Sequence, residues 1–146
     1  MYFARPFIRS RRKLPLRVED LMSTPPITID RDEPIEKASK LMYENNIGSV
    51  IVVDKDGRIE GILTRRDLVF AIANEKIGKG YPVWMFITEN PITVSSGTPI
   101  MDVLRTMREA NIRHLPVVDK EGKPVGMLSI RDIVEAIMIL LGVAVE

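Results

Sequence analysis

The sequence predicts an α/β fold of the α+β kind, built from two tandem β-α-β-β-α repeats. The main observation is a duplication: at a shift of 65 positions, residues 18–72 match residues 83–137 without a gap. Of those 55 pairs, 22 are identical, including PIT at 26–28 and 91–93. A solenoid repeat is only about 20–50 residues long, so two domain-sized units are the better interpretation. The second observation is a hydrophobic content of 45%, which suits two small units sharing a core.

Each copy begins with a strand and a helix. The β-branched runs ITI at 27–29 and ITV at 92–94 predict short strands. Pro34 and Pro99 follow, and proline suits the first turn of a helix because its missing N–H is not needed there. Apolar residues then recur with helical period at Ile35, Ala38, Leu41 and Met42, and at Ile100, Val103, Leu104 and Met107.

A hairpin and a second helix complete each copy. The apolar runs SVIVVD and HLPVVD predict strands that are buried on both faces. DKDG at 54–57 and DKEG at 119–122 predict the turns, after which IEGILT and PVGMLS return as partner strands. A calcium loop is the alternative for DKDG, but its downstream ligands are missing. We expect the last helix to open at Arg65 in the first copy and at Ile130 in the second.

Composition divides the chain into five parts. A basic arm at 1–17 contains six cations and no acid, and it precedes a mildly acidic body. The repeats follow at 18–75 and 83–141, separated by a linker at 76–82 with two glycines and a proline, and a tail at 142–146 ends the chain. The arm is interpreted as a solvated tail, a segment packed on the protein, or a nucleic-acid contact through phosphates.

The residue types exclude several kinds of site. The chain contains no cysteine and one histidine, His114. Disulfides, zinc–thiolate sites, thiol nucleophiles and iron–sulfur clusters are therefore excluded, and we expect no catalytic residue, no metal site and no cofactor. No apolar run reaches the roughly 18 residues of a membrane span, and the N-terminus lacks the apolar block of a secretory signal. We therefore expect a cytoplasmic protein that does not associate with a membrane.

One phrase occurs at the same place in both copies, GILTRRD in the first and GMLSIRD in the second. The pairs Thr64 with Asp67 and Ser129 with Asp132 have the spacing of a helix capping box. In such a box the hydroxyl accepts from a first-turn N–H, and the acid three residues later reaches back. Capping alone is a sufficient explanation of the spacing.

The same corner also has the groups of an anion or nucleotide site. A helix N-terminus exposes unpaired N–H groups and a partial positive charge, which attract phosphate. A hydroxyl can donate to a phosphate oxygen, and a carboxylate can accept from two vicinal ribose hydroxyls. Arg66 and Arg131 add cations beside the corner. Capping and ligand binding are not exclusive, and the residues alone leave both open.

The tandem units, the PIT starts, the IRHLPVVD stretch and the G-h-h-[ST]-x-x-D phrases together resemble a pair of CBS domains, named after cystathionine β-synthase. The resemblance covers about residues 18–140 and is present independently in both halves. It implies that the repeats pack sheet to sheet with pseudo-two-fold symmetry. It also implies two clefts between the repeats that bind adenosine-containing ligands.

The resemblance further implies roles for individual residues. Asp67 and Asp132 would hold ribose hydroxyls, and the hydroxyl residues three positions before them would contact phosphate. Strand positions near Ile29 and Val94 would flank the base. The full set of expected ligand-binding residues is Ile29, Thr64, Arg66, Asp67, Val94, Arg113, His114, Pro116, Ser129, Arg131 and Asp132.

The two copies differ in charge at a pair of positions expected to contact phosphate. Arg113 and His114 stand in the second copy where Gly48 and Ser49 stand in the first. We therefore expect unequal clefts, and the one that uses Arg113, His114 and Arg131 would prefer the more phosphorylated ligand. A partly buried packing role is the alternative for His114.

The function implied by the resemblance is that of a non-catalytic regulatory module that senses energy or metabolite state. AMP, ADP, ATP or S-adenosylmethionine would be its regulatory ligand, and an unknown effector protein would receive the signal in trans. The last helix, IVEAIMILLGVAV, is apolar on nearly every face and must be covered, which predicts a homodimer. The alternative function is a nucleic-acid-associated protein that uses the basic arm.

Overall fold

The computed structural model of the chain describes residues 16–142. The first repeat contains α1 (Val18–Leu21), β1 (Thr28–Asp30), α2 (Ile35–Glu44), β2 (Ser49–Val53), β3 (Ile59–Thr64) and α3 (Arg65–Ala73). The second contains a short 3-10 helix (Val83–Met85), β4 (Thr88–Glu89), α4 (Ile100–Ala110), β5 (His114–Val118), β6 (Pro124–Ser129) and α5 (Ile130–Leu140). The predicted α/β class is confirmed. Most of the predicted basic arm and C-terminal tail lies outside the described residues.

The sheet of the first repeat has the strand order β1-β2-β3-β4, with β1 parallel to β2 and the other neighbours antiparallel. All five residues of β2 are buried, as its apolar sequence predicts for a strand covered on both faces. The turn after β2 is closed by Asp54, whose Oδ1 accepts from the N–H groups of Asp56 and Arg58. Gly57 takes the left-handed φ of 78° in this turn.

The sheet of the second repeat consists of β5 and β6, and the predicted strand ITV is reduced to one parallel bridge between Val94 and Val117. A proline explains the difference. In the first repeat the Ile51 N–H donates to the Ile27 carbonyl at 3.2 Å. Pro116 stands at the matching position and has no N–H to donate. The strand therefore loses one hydrogen bond and shortens.

The N-terminal segment of each repeat packs in the core of the other repeat. Val18 and Leu21 of α1 are buried in the second core, beside residues such as Leu115. Val83 and Phe86, which precede β4, are buried in the first core. Burial of these side chains stabilises both repeats by roughly 1.5–3 kcal/mol for each large apolar group. Each core is thus completed by the other repeat.

The exchange also extends both sheets. Thr88 of β4 pairs with Ile62 of β3, and Ser23 forms an antiparallel bridge with Met127 of β6. The two pairs are equivalent at the shift of 65 positions. The repeats are therefore interlocked in a pseudo-two-fold manner, in addition to being joined by a linker.

Candidate ligand-binding clefts

Each predicted corner forms a capping box. At the start of α3, Oδ2 of Asp67 accepts hydrogen bonds from the N–H (2.8 Å) and the hydroxyl (3.2 Å) of Thr64. At the start of α5, Oδ2 of Asp132 accepts from the N–H and the hydroxyl of Ser129, both at 2.9 Å. The Asp132 N–H also donates to the Ser129 hydroxyl at 3.2 Å. The repeated phrase therefore stabilises a helix N-terminus in both repeats.

Each capping box uses one carboxylate oxygen of its aspartate and leaves the other oxygen without a hydrogen bond to any described residue. Within residues 16–142, neither Oδ1 of Asp67 nor Oδ1 of Asp132 makes a hydrogen bond. Both side chains are half-buried, and each lines a cleft between the repeats. A ligand can therefore bind the second oxygen while the cap stays in place.

The Asp132 cleft is a cavity of about 460 Å³. The second repeat contributes Ser129, Arg131 and Asp132 from the corner at α5, and the first repeat contributes the segments 25–27 and 46–49. Cavities of roughly 300–1,000 Å³ suit small-molecule ligands. This cleft therefore has the size of a ligand site and is built by both repeats.

The Asp67 cleft is larger, at about 730 Å³. The first repeat contributes Thr64, Arg66 and Asp67 from the corner at α3, and the second repeat contributes the segments 90–92 and 110–114. These segments match those of the Asp132 cleft at the shift of 65 positions. The duplication has therefore produced two related clefts with exchanged walls.

The strand positions expected to flank a base are corrected by the structure. Neither Ile29 nor Val94 lines a cleft, because Ile29 is only 4% exposed and Val94 packs against the second core. Ile27 and Ile92 line the clefts instead, two positions earlier and so on the same face of the extended chain. Ile29 lies deeper, in the first core, and Val94 packs against the second. Pro116 lines the Asp67 cleft, as expected of a site residue.

Two predicted site residues are common to both clefts. Arg113 and His114 line both cavities, and so does Arg65, which sequence reasoning used only as the start of a helix. The expectation that Arg113 and His114 serve a single cleft is therefore wrong. The signal for this arrangement was absent from the sequence, which gives no distance between the two copies.

The charge difference between the clefts also departs from the expectation. Arg131 lines the Asp132 cleft, but its Nε lies 3.3 Å from Oε1 of Glu135, which lines the same cleft. Phe70 stands at the matching position of the first repeat, so the Asp67 cleft has three arginines and one acid among its described residues. The Asp132 cleft has three arginines and two acids. The Asp67 cleft is therefore the more positive one.

Burial shifts two titratable groups in the clefts. It raises the pKa of the Asp67 carboxyl, against the opposing effects of the hydrogen bonds from Thr64 and the charge of Arg66. Burial and the nearby charge of Arg65 lower the pKa of His114 below its ordinary value. At neutral pH the His114 ring is therefore uncharged, with one nitrogen donor and one acceptor.

Sequence reasoning missed the cleft walls that face the two corners. The segments 25–27 and 90–92 contain the start of the shared PIT motif. Asn46 and Asn111 also line the clefts, with left-handed φ values of 51° and 52°. The available signal was identity between the copies, although at Asn46 and Asn111 the left-handed backbone of a helix end also favours asparagine.

Other kinds of site find little support in the part of the chain that the structure describes. Within residues 16–142, no group of three or more His, Asp or Glu side chains is placed to hold a metal ion. In the same range, every helix is too short or too polar to cross a membrane.

Comparison with protein families gives two matches to the CBS domain, at residues 18–74 and 83–139. Among known proteins, the chain is 40% identical over 111 residues to inosine-5'-monophosphate dehydrogenase of Aquifex aeolicus. That match covers 75% of this chain but only 22% of the dehydrogenase. The chain therefore resembles one part of that enzyme.

Two solved structures show the same fold over most of their length. The CBS domain pair of protein MJ0100, in complex with 5'-methylthioadenosine and S-adenosyl-L-methionine, is 32% identical with a TM-score of 0.78, over 84% of this chain and 95% of that one. The CBS domain protein PAE2072 from Pyrobaculum aerophilum, complexed with AMP, is 28% identical with a TM-score of 0.77. The match to the second covers 87% of this chain and 99% of that one.

Proposed function

The chain belongs to the CBS domain family, and we propose that it is a non-catalytic regulatory module. It binds adenosine-containing ligands, such as AMP, ADP, ATP or S-adenosylmethionine, in the two clefts between its repeats. The solved relatives support this ligand class, since one contains AMP and the other contains 5'-methylthioadenosine and S-adenosyl-L-methionine. The ligand is a regulatory signal and not a cofactor.

The observation that carries the proposal is the unused carboxylate oxygen at each corner. Oδ1 of Asp67 and Oδ1 of Asp132 can each accept hydrogen bonds from the vicinal hydroxyls of a ribose. The capping bonds to Oδ2 hold each side chain in one orientation. The cap therefore preorganises the acceptor, which lowers the entropy lost when a ligand binds.

The rest of each cleft suits the other parts of a nucleotide. Pro26 and Ile27 in the Asp132 cleft, and Pro91 and Ile92 in the Asp67 cleft, provide an apolar wall for a base. The helix N-terminus and the arginines suit phosphate. Because the Asp67 cleft is the more positive one, we propose that it takes the more phosphorylated ligand.

The same geometry argues against hydrolysis by paired carboxylates. Glycoside hydrolysis, for example, places two carboxyl groups within about 5–10 Å of each other in one site, whereas Asp67 and Asp132 line different clefts. Glu135, the second acid of the Asp132 cleft, is paired with Arg131. A thiol nucleophile is also excluded because the chain contains no cysteine. We therefore propose binding without catalysis.

The position of the clefts suggests how a bound ligand could change the shape of the protein. Both repeats line each cleft, so a bound ligand contacts both sides of the joint between them. A ligand can shift the arrangement of the repeats only as far as its affinities for the two arrangements differ. We propose that this shift changes how an effector protein docks in trans.

A homodimer is proposed from apolar side chains left exposed on the last helix. Val134, Ile137 and Leu140 of α5 are 46%, 41% and 37% exposed, and Leu141 beside them is 75% exposed. Exposed apolar patches of this kind commonly mark protein interfaces. Light scattering at micromolar concentration is expected to give twice the mass of one chain, and a monomer would contradict the proposal.

Thermal shift measurements with AMP, ADP, ATP and S-adenosylmethionine test the ligand sites on the wild type and on Asp67→Ala and Asp132→Ala. A ligand at about 100 times its Kd stabilises the folded protein by roughly 2.7 kcal/mol. Each variant is expected to lose the stabilisation that comes from its own cleft, because the ribose hydroxyls lose their acceptor. The quantity to compare is the ligand-induced rise in Tm of each protein.

Asp20→Ala is the matched control for the loss of a cap. Oδ2 of Asp20 accepts from the Arg17 N–H at 2.8 Å at the start of α1, as Asp67 and Asp132 accept from the N–H groups at the starts of their own helices, and Asp20 lines neither cleft. Loss of the capping bond alone should cost each of the three variants about 1 kcal/mol of stability without ligand. Only Asp67→Ala and Asp132→Ala should lose the response to ligand. If both keep the full response, capping explains the carboxylates and the proposal is wrong.

A further inference from the structure

Three nitrogen-bearing side chains, Arg65, Arg113 and His114, line both clefts, and we name them the shared cluster. Both arginines are exposed, and His114 is half-buried. Within residues 16–142, neither arginine forms a salt bridge. The acids of the described cleft walls each belong to one cleft alone. The charge of the shared cluster can therefore act on a ligand in either cleft.

The shared cluster exists once, although the clefts themselves are duplicated. The counterparts of Arg65, Arg113 and His114 at the shift of 65 positions are Ile130, Gly48 and Ser49. The backbone is equivalent on the two sides, because the Arg65 N–H donates to the Gly48 carbonyl at 3.2 Å and the Ile130 N–H donates to the Arg113 carbonyl at 2.9 Å. The two sides differ in their side chains: the first has Gly48 and Arg65, and the second has Arg113 and Ile130 at the matching positions.

Two members of the shared cluster, Arg65 and His114, meet over Gly48. A Cβ atom built on Gly48 would lie 2.8 Å from Nη1 of Arg65 and 2.9 Å from Nε2 of His114. Any larger residue would displace these two side chains from the junction between the clefts. The glycine therefore leaves room for a single cationic cluster at that junction.

We propose that the shared cluster couples the two clefts, so that a phosphate-bearing ligand in one cleft weakens the binding of a phosphate-bearing ligand in the other. This inference rests on the proposed function and adds how its two sites communicate. A phosphate that pairs with Arg65 or Arg113 neutralises charge that the second ligand would use. The second ligand also meets the charge of the first across a partly buried junction, where repulsion is stronger than in bulk water.

Coupling of this kind depends on the phosphate and not on the nucleoside. Adenosine has the ribose and the base but no anionic group, so its two binding events should be independent. The second AMP should bind at least about fivefold more weakly than it would in an otherwise empty protein, which is the lower end of usual coupling between sites. Comparison of AMP with adenosine therefore isolates the effect of the shared cluster.

Isothermal titration calorimetry with AMP on the wild type, Asp67→Ala and Asp132→Ala measures the coupling. Each variant keeps one working cleft and gives the Kd of that cleft alone. In the wild type, the second AMP is expected to bind at least about fivefold more weakly than in the variant that keeps the same cleft. With adenosine, the wild-type isotherm is expected to equal the sum of the two single-cleft isotherms.

Arg65→Met gives a second readout that leaves the capping aspartates in place. Methionine keeps an unbranched apolar stem but removes one charge from the shared cluster. The variant is expected to bind AMP more weakly in both clefts and to bring the two stepwise Kd values closer together. Lys120→Met is the matched control, since Lys120 is exposed and lines neither cleft. Its two Kd values should equal those of the wild type.

Two AMP binding events with the single-cleft Kd values would overturn the coupling and leave the proposed function intact. An unchanged ratio of the two Kd values in Arg65→Met would also overturn it. Absence of AMP binding to the wild type would overturn the coupling as stated. The proposed function would fail as well if ADP, ATP and S-adenosylmethionine also left the Tm of the wild type unchanged.

Discussion

At the residue scale, Asp67 and Asp132 divide their carboxylate oxygens between two uses. Oδ2 accepts the bonds of the capping box, at 2.8–3.2 Å for Asp67 and at 2.9 Å for Asp132. Oδ1 makes no hydrogen bond within residues 16–142. The capping and ligand interpretations of the repeated phrase are therefore compatible, with the cap observed and the ribose contact proposed.

His114 gives a pH-dependent prediction at the same scale. Burial and the charges of Arg65 and Arg113 lower its pKa in the folded protein, and Asp132 opposes that shift. The unfolded chain therefore takes up this proton at a higher pH, near about 6.5, than the folded chain does. Because the unfolded state binds more protons in that range, the free energy of unfolding should fall as the pH drops below about 6.5.

Urea denaturation between about pH 7.5 and about pH 5.5 checks this prediction. His114→Gln is the control, because glutamine stays neutral and can also hydrogen-bond. The free energy of unfolding of the wild type should fall relative to that of the variant as the solution is acidified. A difference that stays constant with pH would mean that folding does not change the pKa of His114.

At the scale of elements, the exchanged segments pack closely over two glycines of the repeated phrase. A Cβ on Gly61 of β3 would lie 2.7 Å from the carbonyl oxygen of Thr88 in β4. A Cβ on Gly126 of β6 would lie 2.9 Å from the carbonyl oxygen of Ser23. Both oxygens belong to backbone that is paired with the glycine's own strand. A side chain at either position would therefore push the exchanged segment away.

Gly61→Ala and Gly126→Ala are each expected to destabilise the protein by about 1–3 kcal/mol, as measured by urea denaturation. Gly97→Ala is the matched control, because the nearest atom to its Cβ would be Nη1 of Arg17, at 4.0 Å. Its stability should change by no more than about 0.5 kcal/mol. A Gly126→Ala protein as stable as Gly97→Ala would contradict the exchanged packing.

The sequence predicted the positions of the helices and strands better than it predicted which segments pack against each other. Proline positions and helical periodicity correctly located α2 and α4, and the apolar runs located β2 and β5. The exchange of α1 and β4 was not predictable, because the alignment of two copies does not show which core buries a segment. The effect of Pro116 was missed for a different reason: a missing N–H matters only when the partner strand is known.

At the scale of the whole molecule, interlocking of the repeats brings the two clefts to one junction. The capped corners could be predicted because each lies within one repeat, as in the case of Thr64 and Asp67. The opposing walls, such as Ile92, come from the other repeat, so no local pattern pointed to them. The shared use of Arg113 and His114 likewise depends on distances between the copies. The two clefts therefore meet at residues that line both of them.

A crystal structure of the protein with AMP tests the central claim most directly. The account predicts that the ribose hydroxyls lie within about 2.5–3.2 Å of Oδ1 of Asp67 or Asp132, with the capping bonds to Oδ2 intact. AMP bound outside both clefts, or bound with its ribose beyond hydrogen-bond distance of both carboxylates, would contradict it.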